Sequence, residues 1–127
     1  MALFVFSPFK GASDIQFGDN RDKVRQLGTF EEFKKNRFSK NTTDDFGSFH
    51  VYYDESNNVE AIEFFPESIL MFNRKNLFML NPQELTKTLN DSSAVIEESD
   101  ISFPSYGMDV SFDGDSIISI LIHKEAY

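Results

Sequence analysis

The sequence contains no cysteine. That excludes a disulfide framework, thiolate zinc sites and cysteine nucleophiles, and it fits a reducing compartment. Tryptophan is absent as well, and histidine occurs only twice, as His50 and His123. Both sit in strand-like patterns far apart in sequence, so they read as ordinary strand histidines rather than metal ligands or catalysts. Basic side chains are scarce: 12 Lys and Arg stand against 21 Asp and Glu, a net charge of −9. Such a surface repels nucleic-acid backbones and anionic membranes, because phosphate binding depends on cations. It attracts a basic partner and speeds the encounter. No stretch approaches the roughly 20 apolar residues of a membrane span. The apolar start, Met1 to Phe6, lacks the basic region and length of a signal peptide, so a cytoplasmic location is expected. No dinucleotide-binding glycine motif, no phosphate-binding loop and no HExxH motif is present.

What remains is an ordinary globular composition built on one residue type. The chain has 127 residues, 40% hydrophobic and 26% charged. That length suits one domain, 1–127, which buries about two-thirds of its unfolded surface and needs no metal or disulfide to fold. Phenylalanine occurs 15 times, so the core is expected to be built on it. Charge is uneven: residues 1–41 carry eight basic and five acidic side chains, and residues 42–127 carry four and sixteen. No repeat or linker divides the chain, so this asymmetry belongs to the surfaces of one fold.

The patterning predicts an α+β protein: an antiparallel β-meander sheet with two or three helices packed against it. Leu3 to Phe6 reads as a strand. Asp19 or Asn20 caps a helix to Leu27, with Gly28 as its stop. Thr29-Phe30-Glu31-Glu32 has the capping-box form and predicts a short helix through Lys35, with a strand through Phe33 as the alternative. Asn41 to Asp45 reads as a polar loop. Ser48–Tyr53 and Val59–Phe65 form a hairpin in which Tyr53 faces Val59 and Val51 faces Ala61. That register puts Phe49, Val51, Tyr53, Val59, Ala61 and Phe65 on one face, and His50, Tyr52, Glu60, Ile62 and Phe64 on the other. With apolar residues on both faces, the hairpin is expected to be central and covered on both sides.

A second hairpin joins Ile69–Phe72 to Leu77–Leu80 around Asn73-Arg74-Lys75-Asn76. Asn81-Pro82-Gln83-Glu84 is the strongest helix start, with Leu85 and Leu89 on one face and an end near Asn90. Asp91 to Asp100 is polar and acidic, with Val95-Ile96 as a short strand. In the last third, Tyr106, Met108, Val110 and Phe112 alternate with polar residues, and Ile118, Ile120 and Ile122 follow. For these two sets to share a face, paired numbers must sum to an even total. A three-residue loop, Asp113-Gly114-Asp115, pairs Val110 with Ile118 and Met108 with Ile120. A bulge is the other route to the same parity.

Candidate chemistry is sparse. Glu60 and Glu63, three apart on one strand, point to opposite faces and form no acid/base pair from that strand alone. Glu63 shares a face with Val59 and Phe65, where a carboxylate needs a partner such as Arg or Lys. The one basic cluster, Lys34-Lys35-Asn36-Arg37-Phe38-Ser39-Lys40, reads as a solvated helix end or loop, because the whole chain is acidic. Nucleic-acid binding through its flanking phenylalanines is the weaker alternative. Glu97-Glu98-Ser99-Asp100 is either a solvated loop or a partner-facing one.

Several segments resemble the immunity proteins of bacterial contact-dependent growth inhibition systems. They are Phe17-Gly18-Asp19-Asn20-Arg21-Asp22-Lys23-Val24-Arg25 and Thr43-Asp44-Asp45-Phe46, then Val51-Tyr52-Tyr53-Asp54-Glu55 with Val59-Glu60-Ala61-Ile62-Glu63-Phe64. Tyr106-Gly107-Met108-Asp109-Val110-Ser111-Phe112 closes the series. The resemblance implies a cytoplasmic antidote without cofactor or catalytic activity. It would bind the C-terminal toxin domain of a delivered effector, a nuclease and foremost a metal-dependent DNase. Some such antidotes accept a toxin β-hairpin as added strands. The charge agrees, since a nuclease that holds phosphates is usually basic. The expected contacts are Glu60, Glu63, Glu67, Asp109 and Asp113, with Tyr106 and Phe72 as aromatic anchors. The alternatives are a regulatory module for another basic partner and a small carboxylate-dependent enzyme.

Overall fold

In this computed structural model, residues 3–33 and 40–127 are described, and they form two sheets around one core. Strands β1 (Leu3–Ser7), β2 (Gly11–Ala12) and β3 (Ile15–Gln16) come first, followed by helix α1 (Arg21–Arg25). A first meander comprises β4 (Glu31–Phe33), β5 (Thr43–Asp45), β6 (Phe49–Tyr53) and β7 (Val59–Phe64). The chain then passes through β8 (Ile69–Phe72), β9 (Lys75–Asn76), a 3-10 turn at Leu77–Met79 and helix α2 (Pro82–Leu89). A second meander comprises β10 (Val95–Ile96), β11 (Asp100–Phe103), β12 (Met108–Asp113) and β13 (Ser116–His123).

Antiparallel pairing of β13 with β7 fuses the two meanders into an eight-stranded sheet of order β10-β11-β12-β13-β7-β6-β5-β4. The smaller sheet runs β3-β2-β1-β8-β9, with β1 and β8 parallel. The α+β class expected from the patterning is the observed one.

One face of the large sheet supplies Phe49, Val51, Ile62, Phe64, Val110, Ile120 and Ile122, all buried. The small sheet, the 3-10 turn and α2 cover it with Phe4, Phe6, Leu70, Leu77, Leu85 and Leu89. Phenylalanine does carry this core. The Phe4 ring sits 4.9 Å from Phe49 and 5.0 Å from Phe64, both tilted or edge-on, the geometry that ring quadrupoles prefer. Full burial of one such side chain is worth about 1.5–3 kcal/mol. Helix α2 is built as its sequence dictates. Asn81 Oδ1 accepts the Glu84 N–H at 2.8 Å, and Glu84 Oε1 accepts the Asn81 N–H at 3.0 Å. Asn90 ends the helix in the left-handed region, at φ 47°.

Several elements differ from expectation. Helix α1 stops at Arg25, capped by Gln26 rather than Gly28, because only Val24 gives it an apolar anchor and Leu27 is half-exposed. Glu31–Phe33 takes the alternative reading, a strand ending at Phe33, rather than the helix: it pairs with β5, the segment expected to be a polar loop. Among the described residues β4 has its only ladder with β5, which is itself held by β6 on its other side. Leu77–Leu80 is not a strand. Asn73 and Arg74 both take positive φ, 51° and 65°, which closes a tight two-residue turn and confines the return strand to Lys75–Asn76. Asn76 Oδ1 then accepts the Phe78 N–H at 3.2 Å and starts the 3-10 turn. Strand β11 occupies the end of the expected acidic loop. Tyr106 lies in a 3-10 turn at Pro104–Tyr106 rather than in a strand. Gly107 ends that turn at φ 62°, where a Cβ would stand 2.8 Å from the His123 carbonyl oxygen. The basic cluster Lys34-Lys35-Asn36-Arg37-Phe38-Ser39-Lys40 lies, except for Lys40, outside the described residues.

Two bulges decide which side chains face the core. Between β6 and β7, Tyr53 faces Val59 as expected, but Tyr52 faces Ala61 and Val51 faces Ile62. Glu60 is the extra residue. The one-residue shift brings Phe49, Val51, Ile62 and Phe64 onto a single inward face. The hairpin is central, but only that face is core; His50, Tyr52 and Glu63 are half-buried on the other. Between β12 and β13, a two-residue turn at Gly114-Asp115 sets Asp113 opposite Ser116, and Ile118 is the extra residue. Beyond it Val110 faces Ile120 and Met108 faces Ile122. The required parity is met by the bulge route, two residues away from the Val110–Ile118 pairing of a three-residue loop. Ile117 therefore turns inward at 4% exposure and Ile118 outward at 47%.

Candidate functional site: the acidic outer face of the large sheet

Residues directly opposite in antiparallel strands share a face. The register therefore aligns Glu31, Asp45, His50, Glu63, Leu121, Asp109 and Ser102 in one row across six strands and the flanking β4. This row is on the side away from the core. Four of its members are carboxylates.

The row is held by local pairs. Tyr52 donates its hydroxyl to Glu63 Oε1 at 2.5 Å. Burial, and then that hydrogen bond, push the Tyr52 phenol well above its ordinary value. His50 Nε2 lies 3.2 Å from Asp45 Oδ1. Ser102 donates to Asp109 Oδ1 at 2.7 Å, and Asp109 Oδ2 is 3.7 Å from His123 Nε2. Tyr127 stacks on the His123 ring, centroids 5.1 Å apart. Burial raises the Tyr127 phenol, and the charges of Glu60, Asp109 and Glu63 raise it further. Glu60 also approaches Lys124 Nζ at 3.9 Å.

Three of the seven expected contact residues, Glu60, Glu63 and Asp109, thus gather around Tyr127. Strand parity separates Glu60 from Glu63, yet with the bulge at Glu60 the charges of both act on the Tyr127 phenol. Glu63 finds a tyrosine where an Arg or Lys was expected. The other four stand elsewhere. Glu67 is exposed in the turn after Pro66, and Asp113 is exposed at the tip of the β12–β13 hairpin. Phe72 and Tyr106 meet edge-to-face at 5.6 Å, packed against the core side. Tyr106 donates its hydroxyl to the Leu89 carbonyl at 2.8 Å, which makes it a strut for α2.

A second polar cluster went unseen in the sequence. Asp44, on β5, is fully buried. It accepts from Arg21 at 2.8 and 3.2 Å, from Arg25 twice at 2.8 Å and from Tyr53 at 2.9 Å. Burial works to raise its carboxyl, but these donors outweigh burial and hold it at about 2. The Arg25 guanidinium is raised in turn by its bond to Asp44. Arg21 lies over the Tyr53 ring, 4.3 Å from its centroid. One signal was available: Arg21 and Arg25 are four apart, hence on one helix face. Among the described residues every buried side-chain nitrogen and oxygen has a partner. The cluster is satisfied internally and reads as the pin that fastens α1 to the sheet.

Among the described residues no group of three His, Asp or Glu is placed to hold a metal ion, and no helix is long and apolar enough to cross a membrane. Comparison with family models, curated proteins and solved structures gives no match.

Proposed function

We propose that this chain is an immunity protein, a cytoplasmic antidote that binds a basic nuclease toxin domain of a contact-dependent growth inhibition effector. The observation that carries the reading is the acidic row on the outer face of the large sheet, flanked by Tyr52 and Tyr127. Carboxylates on an open face steer a cationic partner and raise association above the roughly 10⁵–10⁶ M⁻¹s⁻¹ of neutral pairs. Half-buried Tyr52 and exposed Tyr127 beside them supply area that loses water on contact. The sheet also ends in short edges with apolar side chains, Phe33 on β4 and Val95 and Ile96 on β10, each at least 42% exposed. A strand of the partner can extend the sheet there. The metal-dependent DNase remains the foremost partner because it holds phosphates with cations.

On this reading the chain binds and does not catalyse. Glu60, Glu63, Asp109 and His123 meet on a half-exposed face rather than in a water-excluding cleft, and a face suits a protein partner. The test is co-expression with a toxin domain encoded just upstream, if one exists, scoring survival and co-purification. Survival and a stable complex are expected, and Glu63→Lys with Asp109→Lys should abolish both. A double variant that protects as well as the native chain would reject this face.

A further inference from the structure

The β13–β7 ladder stops short. It runs from His123–Ala61 to Ile120–Phe64. The next position in that count, Phe65, gives its N–H to the Ser48 carbonyl at 3.1 Å instead, and the one after it is Pro66, which has no N–H to donate. Ser116–Ser119 continue beyond the ladder, paired with β12 alone among the described strands. This unpaired side opens on a cleft of about 530 Å³ lined by Pro66, Phe78, Met79, Leu80, Ile117 and Ile118.

Open strand sides in native proteins are normally blunted by charge or covered. Here the bulge does the opposite and turns Ile118 out to 47% exposure beside Met79 at 79%. The acids are at the rim. Glu84 and Asp115 line the cleft, Glu67 follows Pro66 in an exposed turn, and Asp113 is exposed opposite Ser116. Among the described residues no lysine or arginine lines it.

We infer that this cleft is a docking site for an extended segment of a basic protein, one whose apolar side chain enters between Ile118 and Met79 while flanking Lys or Arg meet the rim. The charge selects this occupant over a second copy of the chain, because two such rims repel each other. The identity of the partner rests on the reading of this chain as an antidote to a basic protein. The cleft adds a second contact, separate from the outer face, and gives a place to Glu67 and Asp113, which that face leaves aside.

The probe is a synthetic heptapeptide of alternating Lys and Val, with alternating Lys–Ser and Glu–Val peptides as controls, followed by amide and methyl chemical shifts on the full chain. The Lys–Val peptide is expected to shift Ser116–Ser119 amides and the Ile118 and Met79 methyls, and the controls are not. Ile118→Ser and, separately, Met79→Ser should each weaken that binding at least about fivefold with the melting temperature unchanged. Shifts confined to Glu63, Asp109 and Tyr52, or affinity indifferent to both variants, would overturn the cleft and leave the antidote reading standing. No binding of either lysine peptide anywhere at low salt would count against the basic-partner reading itself. A native dimer in sedimentation that Ile118→Lys dissolves would make the cleft a self-interface and overturn the assignment.

Discussion

Replacing Asp44 with alanine is expected to cost about 3 kcal/mol of folding stability. Removing one member of a buried charge pair leaves the other uncompensated, at about 3–5 kcal/mol. Here five hydrogen bonds onto one fully buried carboxylate disappear together. Two features place the cost at the low end. Arg21 keeps Asn41 Oδ1 at 3.3 Å, Asn57 Oδ1 at 3.2 Å and the Tyr53 ring. Arg25, with its side chain 26% exposed, keeps Glu32 at 2.8 Å and can regain water. In a chain of this size the loss should lower the melting temperature by about 10 °C. Urea unfolding followed by far-UV circular dichroism, with an unchanged slope, measures it. The Asp44 carboxyl sits near 2 when folded against an ordinary 3.8. Its folded value is depressed, so its contribution is full above about pH 4 and fades as pH falls toward 2. The stability gap between the native chain and Asp44→Asn should therefore narrow between pH 5 and pH 2. A loss below about 1 kcal/mol for Asp44→Ala, or a gap that ignores pH over that range, would refute the view that this carboxylate fastens α1 to the sheet.

Spectrophotometric titration of the four tyrosines should leave Tyr52 and Tyr53 un-ionised well above pH 10, because burial and a carboxylate beside each hydroxyl oppose the phenolate; four tyrosines titrating together near 10 would contradict the Tyr52–Glu63 and Tyr53–Asp44 bonds. Asn81→Ala should cost about 1 kcal/mol in urea unfolding, since it removes the Asn81 half of the α2 capping box, and Asn81→Asp should recover most of it. Stopped-flow association with the toxin domain should slow markedly as NaCl rises while dissociation changes little; an on-rate indifferent to salt would remove the acidic face from the encounter.

Local chemistry was legible where it acts alone. Asn81, Pro82 and Glu84 define the start of α2 within four residues, and nothing distant competes with that cap. Leu3–Phe6 and the alternation after Met108 were legible for the same reason: a period of two survives in any sheet. The β4–β5 pair was only half legible: a strand through Phe33 was open as an alternative, but Thr43–Asp45 has no strand-like pattern by itself. Their ladder exists only once each has the other. Asp44 shows the same limit at a single side chain. A carboxylate in a polar run looks solvated until two arginines and a tyrosine from separate elements close around it.

The two bulges explain why the candidate face was only half legible. Each inserts one residue, and each reverses the face of every residue beyond it relative to an uninterrupted strand pair. In β12–β13 the need for a reversal could be read from the isoleucines, since Ile120 and Ile122 had to join Met108 and Val110. The place of the extra residue could not, because Ile117 and Ile118 satisfy the core equally well as side chains and only the turn at Gly114-Asp115 decides between them. In β6–β7 the reversal left no such mark. Phe64 and Ile62 are as apolar as Phe65 and Ala61, so both registers present an apolar face, and only the ladder turns Ile62 and Phe64 inward with Val51. With that choice the charges of Glu60 and Glu63 both act on the same tyrosine. The bulge at Glu60 therefore does two things with one inserted residue: it completes the core face and it concentrates negative charge on the opposite one.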